Sequence, residues 1–235
     1  MFPKFQILSN MRPFKTSNLQ IRNSAKKCLC VALLLLLTGA MYAQDRMIPP
    51  RHRDLKAPRS YETAILDYFD VGDADRFAYL VKPSFSPEYF LSYSKKEKSL
   101  ILKEATQTIW NFKGNPKRNI LARHWELPIC DSLADSLQAM FAATVLTSSY
   151  IGDTVIGCDG TTYQFILQPG WSRVAECWSP DTNSNCGQAV AVVEKLCKAV
   201  KENDRKGAEG LIGEISRVAQ LFRKYYPADF RRKVF

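Results

Sequence analysis

Apolar and polar residues alternate with two different periods along this chain, and the period changes several times between residues 60 and 226. Three stretches repeat their apolar residues every three or four positions, which predicts amphipathic helices. These stretches are 128–148, 188–202 and 208–226. A shorter stretch with similar spacing, 60–69, predicts a further helix that Ser60 can cap.

A first β region follows the short helix, with apolar residues at every second position. Strands are predicted at three places: 77–81, 89–93 and 100–102. The last two are separated by the charged stretch 94–98, which is typical of a hairpin tip. Pro83 and Pro87 restrict the first strand to a sheet edge or end it. The polar stretch 111–123 is expected to be a loop.

A second β region runs from Thr154 to Trp178. The dipeptide Asp159-Gly160 stands between two β-rich runs, 154–158 and 161–167, and it indicates a hairpin because both turn residues tolerate positive φ. A third strand, 172–178, is predicted antiparallel to the second.

Strands in hairpins, with helices between and after them, indicate the α+β class. We therefore expect an antiparallel sheet built from hairpins or a meander, with helices packed on one face. Two helices are expected at the C-terminal end of the chain.

One part of this pattern resembles a module of uncharacterised small bacterial proteins. Its residues are Asp159-Gly160 with the aromatic strand that follows, the corner Trp178-Ser179-Pro180, and the helix predicted over 188–202. In that module a DG hairpin leads through a Trp-Ser-Pro corner into a helix. The resemblance implies a local fold and assigns no activity and no catalytic residue.

The N-terminal part of the chain has the order of a secretory signal peptide. Lys26 and Lys27 precede the apolar run 28–37, and small residues follow at Ala40 and Ala43. We predict cleavage after Ala43, with Ala40 as the second choice. The run is too short to span a hydrocarbon core of about 30 Å as a helix, so no stable membrane insertion is expected after cleavage.

The predicted organisation is a signal peptide over 1–43, an extended linker over 44–59 and a single α+β domain over 60–235. The linker is rich in arginine and contains Pro49, Pro50 and Pro58. The protein is therefore expected to be exported, to a periplasm or to the extracellular space.

The net charge of +10 overstates how basic the exported protein is. The chain has 33 basic and 23 acidic residues, and the segment 1–43 holds six of the basic ones and none of the acidic ones. The rest of the chain carries a net charge of +4, which is ordinary for a soluble surface. We therefore expect no nucleic-acid partner.

Export makes disulfides possible for the five cysteines that follow the leader. Cys177 ends a predicted strand and Cys186 lies nine residues further on, so the pair Cys177–Cys186 can close across the Trp-Ser-Pro corner. The alternative is that most of these cysteines are buried free thiols. An odd number means that at least one is unpaired or pairs between chains.

Candidate chemistry is sparse. His124 is the one credible general base, because the other histidine lies in the predicted linker, and Cys130 is near it in sequence. An exported hydrolase that uses a Cys or Ser nucleophile with His124 is thus the alternative function. No Cys-x-x-Cys or comparable ligand spacing occurs, so we expect neither a metal site nor another cofactor.

Aromatic residues near strand ends and turns favour a different function. An exposed aromatic patch marks a binding surface, and Trp171, Trp178 and Tyr93 are the candidates for it. The alternative is that these rings pack in the core. The secretory address, the well-patterned core and the lack of a catalytic constellation favour a non-enzymatic protein that binds another protein or an envelope component, and the sequence does not indicate the oligomeric state.

Overall fold

The structure, a computed structural model, describes residues 45–49, 61–71, 75–110, 112, 114–149, 159–167 and 173–226. Within these residues the strands are β1 (Phe77–Pro83), β2 (Tyr89–Ser94), β3 (Ser99–Ala105), β4 (Ala122–Pro128), β5 (Thr161–Leu167) and β6 (Arg173–Trp178). The helices are α1 (Tyr61–Phe69), α2 (Pro116–Asn119), α3 (Asp131–Leu146), α4 (Asn185–Glu202), α5 (Arg205–Gly210) and α6 (Ile212–Arg223).

The strands form one antiparallel sheet in the order β4-β3-β2-β1-β5-β6. The first four strands are consecutive neighbours and make a meander. After α3 the chain returns to the other side of β1, where β5 and β6 add a hairpin. The predicted α+β class is therefore confirmed.

The main core lies between one face of the sheet and the helices α3, α4 and α6. Alternate residues of β1 point into this core, and Phe77 stacks on Tyr93 at a centroid distance of 5.6 Å. Phe141 on α3 packs against Phe77 and Phe165 at 4.9 and 5.1 Å. The apolar stripes of these three helices face this core, as their helical spacing predicts.

A smaller core covers part of the opposite face of the sheet. Helix α1 contributes Ile65, Tyr68 and Phe69, which pack against the intervening residues of β1, including Ala78 and Leu80. The sequence predicts α1 but not its side of the sheet, because a nine-residue helix fits equally well on either face.

Strand β1 is an interior strand and ends at Pro83, so of the two predicted effects of the prolines the strand end is the one observed. The hairpin predicted around Asp159-Gly160 is not formed by β5, because both edges of β5 already pair, with β1 and with β6. The stretch Thr154–Cys158 lies outside the described residues.

Strand β4 is an element that the sequence analysis missed. It begins in the last two residues of the stretch predicted as a loop, 111–123, continues to Pro128, and forms the outer edge of the sheet beside β3. Leu127 is its one buried residue, so the strand lacks the alternation by which buried strands are recognised. The predicted final helix is also divided, since α5 ends at Gly210 and α6 begins at Ile212.

Residues 45–49, part of the predicted linker, contact the domain. Ile48 pairs with Glu176 on β6 through backbone hydrogen bonds of 3.0 and 2.8 Å. Met47 is fully buried in the main core, and the guanidinium of Arg46 donates to the carbonyl of Thr147. These residues therefore belong to the folded body.

Helix α4 begins and ends as local sequence rules predict. The Ser184 hydroxyl accepts a hydrogen bond from the Gly187 amide at 2.9 Å, which caps the first turn. Asn203 ends the helix in the left-handed conformation with φ of 54°. No helix within the described ranges combines the length and the apolar composition needed to cross a membrane.

Candidate functional site

One end of the sheet gathers four connecting segments, and we call it the loop end. The strand register places the β1–β2 loop (84–88) and the β3–β4 connection (106–121) there. Residues 159–160, which precede β5, and the corner 179–184, which follows β6, lie at the same end. The β2–β3 hairpin tip, 95–98, lies at the opposite end.

Three large apolar side chains are exposed at the loop end. Phe85 is 82% exposed in the β1–β2 loop, and Leu121 and Trp110 are 77% and 55% exposed in the β3–β4 connection. Burying such a side chain is worth about 1.5–3 kcal/mol. Isolated exposed apolar residues are common, and these three share one end of the sheet, which makes the loop end the candidate for an interaction surface.

Basic residues flank this apolar surface. Arg118 and Arg123 are exposed on either side of Leu121 in the chain. Arg123 lies 3.7 Å from Glu104, a carboxylate that also pairs with Lys201. Arg118 makes no salt bridge within the part of the chain that the structure describes. The part of the loop end around Leu121 is therefore apolar with a basic flank, whereas Asp159 and Asp181 are exposed elsewhere at this end.

A fully buried carboxylate, Glu88, supports the apolar surface from below. One carboxylate oxygen accepts a hydrogen bond from the Tyr61 hydroxyl and the other accepts one from the Ile109 amide, both at 2.8 Å. Trp110 follows Ile109 and packs edge-to-face on Tyr61 at a centroid distance of 4.7 Å. Glu88 thus fixes the backbone beside Trp110 and the ring that Trp110 contacts.

Burial raises the pKa of Tyr61 far above its ordinary value, and the charge of Glu88 raises it further. Burial and Glu88 act in the same direction on the pKa of Tyr68. Tyr68 is itself a buried side chain whose hydroxyl has no hydrogen-bond partner among the described residues. Both phenols therefore remain protonated, and the Tyr61 hydroxyl acts as a donor to Glu88.

A second carboxylate, Glu194 on α4, lies on the main-core side of the sheet. One of its oxygens accepts hydrogen bonds from two hydroxyls, Tyr79 at 2.9 Å and Tyr89 at 2.6 Å. Burial is the main cause that raises the pKa of both tyrosines, and the charge of Glu194 is the second. The two phenols are therefore donors that hold α4 against β1 and β2.

The Glu194 cluster continues toward the basic flank. The Lys201 ammonium pairs with Glu104 and lies 5.4 Å from the Trp125 ring centroid and 5.9 Å from that of Tyr89. Glu104 in turn lies near Arg123. Helix α4 is thus tied to β2, β3 and β4 by one connected set of polar contacts.

The structure separates the two residues of the hydrolase alternative. His124 is exposed on β4. Trp125 and Leu127 of this strand face the main core, and because side chains alternate along a strand, His124 faces the other side of the sheet. Cys130 precedes α3 and packs against the main core. These positions place His124 and Cys130 on opposite sides of the sheet, which leaves them no nucleophile–base contact.

The predicted aromatic surface is placed differently. Tyr93 is 3% exposed, stacked on Phe77 in the main core, so it is not part of an exposed patch. Trp178 is half-buried at the loop end, where a Cβ on Gly160 would come within 2.6 Å of its ring. Trp171 lies outside the described residues.

The exposed residues Phe85 and Leu121 were missed because single apolar residues in polar loops carry no periodic signal. The same holds for Glu88 and Glu194, which look like ordinary surface glutamates in the sequence. The one local feature that sets Glu88 apart in the sequence is its position between Pro87 and the aromatic start of β2.

The cysteines predicted as a disulfide meet in the main core. Cys177 on β6 and Cys186 on α4 are both fully buried. Burial is the main cause that raises the pKa of the Cys186 thiol, and a hydrogen bond with the Cys177 side chain is the next. The two thiols are therefore close neighbours in the main core, and they are free thiols in this structure.

A small polar cavity of about 270 Å³ lies between α3 and α6. It is lined by Asp135, Ser136, Ala139, Ser216, Ala219, Gln220 and Arg223. Asp135 is already paired with Arg76 at 2.9 Å. Among the described residues, no group of three or more His, Cys, Asp or Glu side chains is arranged to hold a metal ion.

Comparison with known proteins gave no match. No protein-family model matches the chain, and neither curated protein sequences nor solved structures match it. The resemblance to the bacterial DG-hairpin module therefore stays a prediction, and the function has to be argued from the residues themselves.

Proposed function

We propose that this protein is an exported, non-enzymatic binding protein, and that its loop end docks onto another protein of the envelope or extracellular space. The observation that carries the proposal is the exposure of Phe85, Trp110 and Leu121 at the same end of the sheet. Export is supported by the basic, apolar and small-residue order of 26–43.

The chemistry of the loop end selects the kind of partner. An apolar centre flanked by Arg118 and Arg123 complements a surface with an apolar patch and acidic surroundings. Glu104 is the shared ion-pair partner of Lys201 and Arg123. This flank therefore carries more positive than negative charge. The occupant is therefore an acidic protein surface.

The loop end is also rigidly supported, which favours binding. Glu88 fixes the segment that carries Trp110 with two hydrogen bonds, and Ser84 is tied to Gly160 by backbone and side-chain hydrogen bonds of 2.9 and 2.7 Å. Side chains held in place before association lose less conformational entropy when a partner binds.

Site-specific crosslinking in the producing cells tests the docking surface. A photoreactive aromatic amino acid is placed at position 121, and a matched control is placed at Lys96 on the opposite hairpin tip. We expect position 121 to give one heteromeric adduct and position 96 to give none. Equal labelling from both positions, or adducts with a second copy of this chain alone, would overturn the proposal.

Charge reversal sharpens the same experiment. The double variant R118E/R123E is expected to lower the adduct yield from position 121 at least several-fold, because the basic flank then repels an acidic partner. K95E/K96E makes the same change in net charge at the opposite end and is expected to leave the yield unchanged. Equal losses in both variants would count against a specific basic flank.

The export half of the proposal has its own measurement. Mass spectrometry of the protein recovered from cells is expected to show an N-terminus at Gln44, or at Met41 for the second cleavage choice. Recovery of the chain with residues 1–43 still attached would contradict export by a cleaved signal peptide.

A further inference from the structure

Two buried thiols meet where the last strand turns into the longest helix. Cys177 is the penultimate residue of β6, and Cys186 is the second residue of α4. Both are fully buried in the same core, where the Cys177 side chain is a close neighbour of the Cys186 thiol. Their positions in the sheet and in the helix bring them together across the corner 179–184.

The backbone of that corner fixes the positions of both cysteines. Ser179 has a φ of 36°, and its amide donates to the carbonyl of Thr161 at 2.9 Å. A Cβ on Gly187 would lie 2.0 Å from the carbonyl oxygen of Asp181, so the start of α4 approaches the corner as closely as a glycine allows. The proximity of the two thiols is therefore set by the fold.

The other described cysteines have different surroundings. Cys197 is buried on α4 three helical turns after Cys186, near Glu194 and Lys201. Cys130 is half-buried at the start of α3. Because each of these faces its own set of neighbours, the geometry gives Cys177 one cysteine partner among the described residues.

We infer that Cys177 and Cys186 form a disulfide bond that joins β6 to α4 in an oxidising compartment. The inference rests on the export in the proposed function. Two thiols lose two protons and two electrons, and the oxidant is a disulfide, either small-molecule or carried by a protein, which is reduced to two thiols. One cysteine thiolate forms a mixed disulfide with the oxidant, and the other displaces it.

The burial of both sulfurs dictates when the bond forms. Only a thiolate attacks a disulfide, and burial raises the pKa of Cys186 and removes the thiol from the solvent. The bond therefore forms during folding, before α4 covers the end of β6. Once folded in the reduced state, the pair resists both oxidation and alkylation.

Refolding of the purified protein tests the pairing without depending on export. The protein is unfolded with reductant, refolded with reduced and oxidised glutathione, and then denatured in an alkylating reagent for peptide mapping. We expect the Cys177 and Cys186 peptides to be joined, with Cys130 and Cys197 alkylated. C130S is the matched control and is expected to give the same joined peptides.

Thermal unfolding gives a second readout. The oxidised protein is expected to melt roughly 5–10 °C above the reduced protein, because the bond removes conformational freedom from a short loop of the unfolded chain. Alkylation of both cysteines after refolding, or pairing of either one with Cys130, Cys158 or Cys197, would overturn the inference. If the bond forms on refolding and is missing in protein from cells, export fails and the pairing stands.

Discussion

Glu88 and Glu194 lie on opposite sides of the sheet and make similar contacts. Glu88 accepts a hydrogen bond from one tyrosine hydroxyl and Glu194 from two. Glu88 is fully buried and uses both oxygens, one for Tyr61 and one for the Ile109 amide. Glu194 is half-buried and receives both Tyr79 and Tyr89 on one oxygen. The two carboxylates therefore differ in their own burial and in the kind of donor, since Glu88 also accepts from a backbone amide.

The two residues also stabilise different parts of the molecule: Glu88 supports the loop end, and Glu194 holds helix α4 against the sheet. Glu88 fixes the segment beside Trp110, so its loss affects the loop end directly. Glu194 attaches α4 to the sheet, and water can reach both Glu194 and the Tyr89 hydroxyl because the two residues are half-buried. The buried carboxylate is accordingly the costlier of the two to remove, because water replaces a fully buried acceptor less readily than a half-buried one.

The largest effect is expected for Glu88→Ala. The half-buried Tyr61 hydroxyl and the buried Ile109 amide lose their acceptor, so the free energy of unfolding falls by about 2–5 kcal/mol. Urea unfolding measures the change. Glu97→Ala, at the exposed hairpin tip, is the control and is expected to stay within about 0.5 kcal/mol of the parent protein. Equal effects of the two variants would show that the Glu88 hydrogen bonds contribute nothing.

A smaller effect is expected for Glu194→Ala, about 1–3 kcal/mol in the free energy of unfolding. Tyr79 is fully buried and loses its acceptor, whereas the half-buried Tyr89 hydroxyl can turn to water. Glu194→Gln keeps an acceptor oxygen and is expected to recover most of the loss. If Glu194→Ala costs more than Glu88→Ala, the comparison between the two carboxylates is wrong.

The dependence of the free energy of unfolding on alkaline pH measures the contribution of the buried tyrosine hydroxyls. Their folded pKa values lie above the ordinary value of 10.0, so the stabilisation is complete below pH 10 and is lost as the pH rises further. By pH 11 each of Tyr61, Tyr79 and Tyr89 accounts for a loss of about 1.4 kcal/mol. Unfolding free energies at pH 9 and pH 11 measure it.

Phenylalanine variants assign that loss to individual residues. Tyr79→Phe and Tyr61→Phe are each expected to reduce the difference between pH 9 and pH 11 by the contribution of one tyrosine. Phenolate absorbance is expected to appear for these residues on unfolding. A phenolate signal from all tyrosines of the folded protein at pH 10 would contradict the raised pKa values.

The smallest effect concerns Asp70, at the end of α1. A hydrogen bond from Lys117 is the main cause that lowers its pKa. A lowered folded pKa stabilises the protein above the unfolded value of 3.8, and the stabilisation is lost as the pH falls through the folded pKa. Asp70→Asn is expected to remove a small part of the acid destabilisation, and a steeper acid limb in the variant would contradict this.

The helices and most strands could be predicted from the sequence because their burial is periodic. Helix α4 presents Val193, Leu196 and Val200 to the core at helical spacing, and Ser184 supplies a standard cap. Strand β4 could not be recognised, since an edge strand with one buried side chain shows no alternation. The side of the sheet that α1 covers depends on tertiary packing that no local pattern records.

The candidate site was the less predictable part. The proximity of Cys177 and Cys186 follows from a short separation across a corner, which a sequence displays. The pairing of Glu88 with Ile109, 21 residues later, depends on the register of the two strands between them, β2 and β3. Phe85 and Leu121 are candidate binding residues because they lie at the same end of the sheet. That placement depends on the strand topology, which no local sequence pattern records.

Oxidative footprinting tests most directly whether a partner covers the loop end. The modification rates of Phe85 and Trp110 are compared between the purified protein and the protein in its producing cells, with the exposed Leu66 on α1 as the internal control. We predict that both aromatic residues are protected several-fold in cells while Leu66 is modified equally in both samples. Equal rates for Phe85 and Trp110 in the two samples would contradict the account.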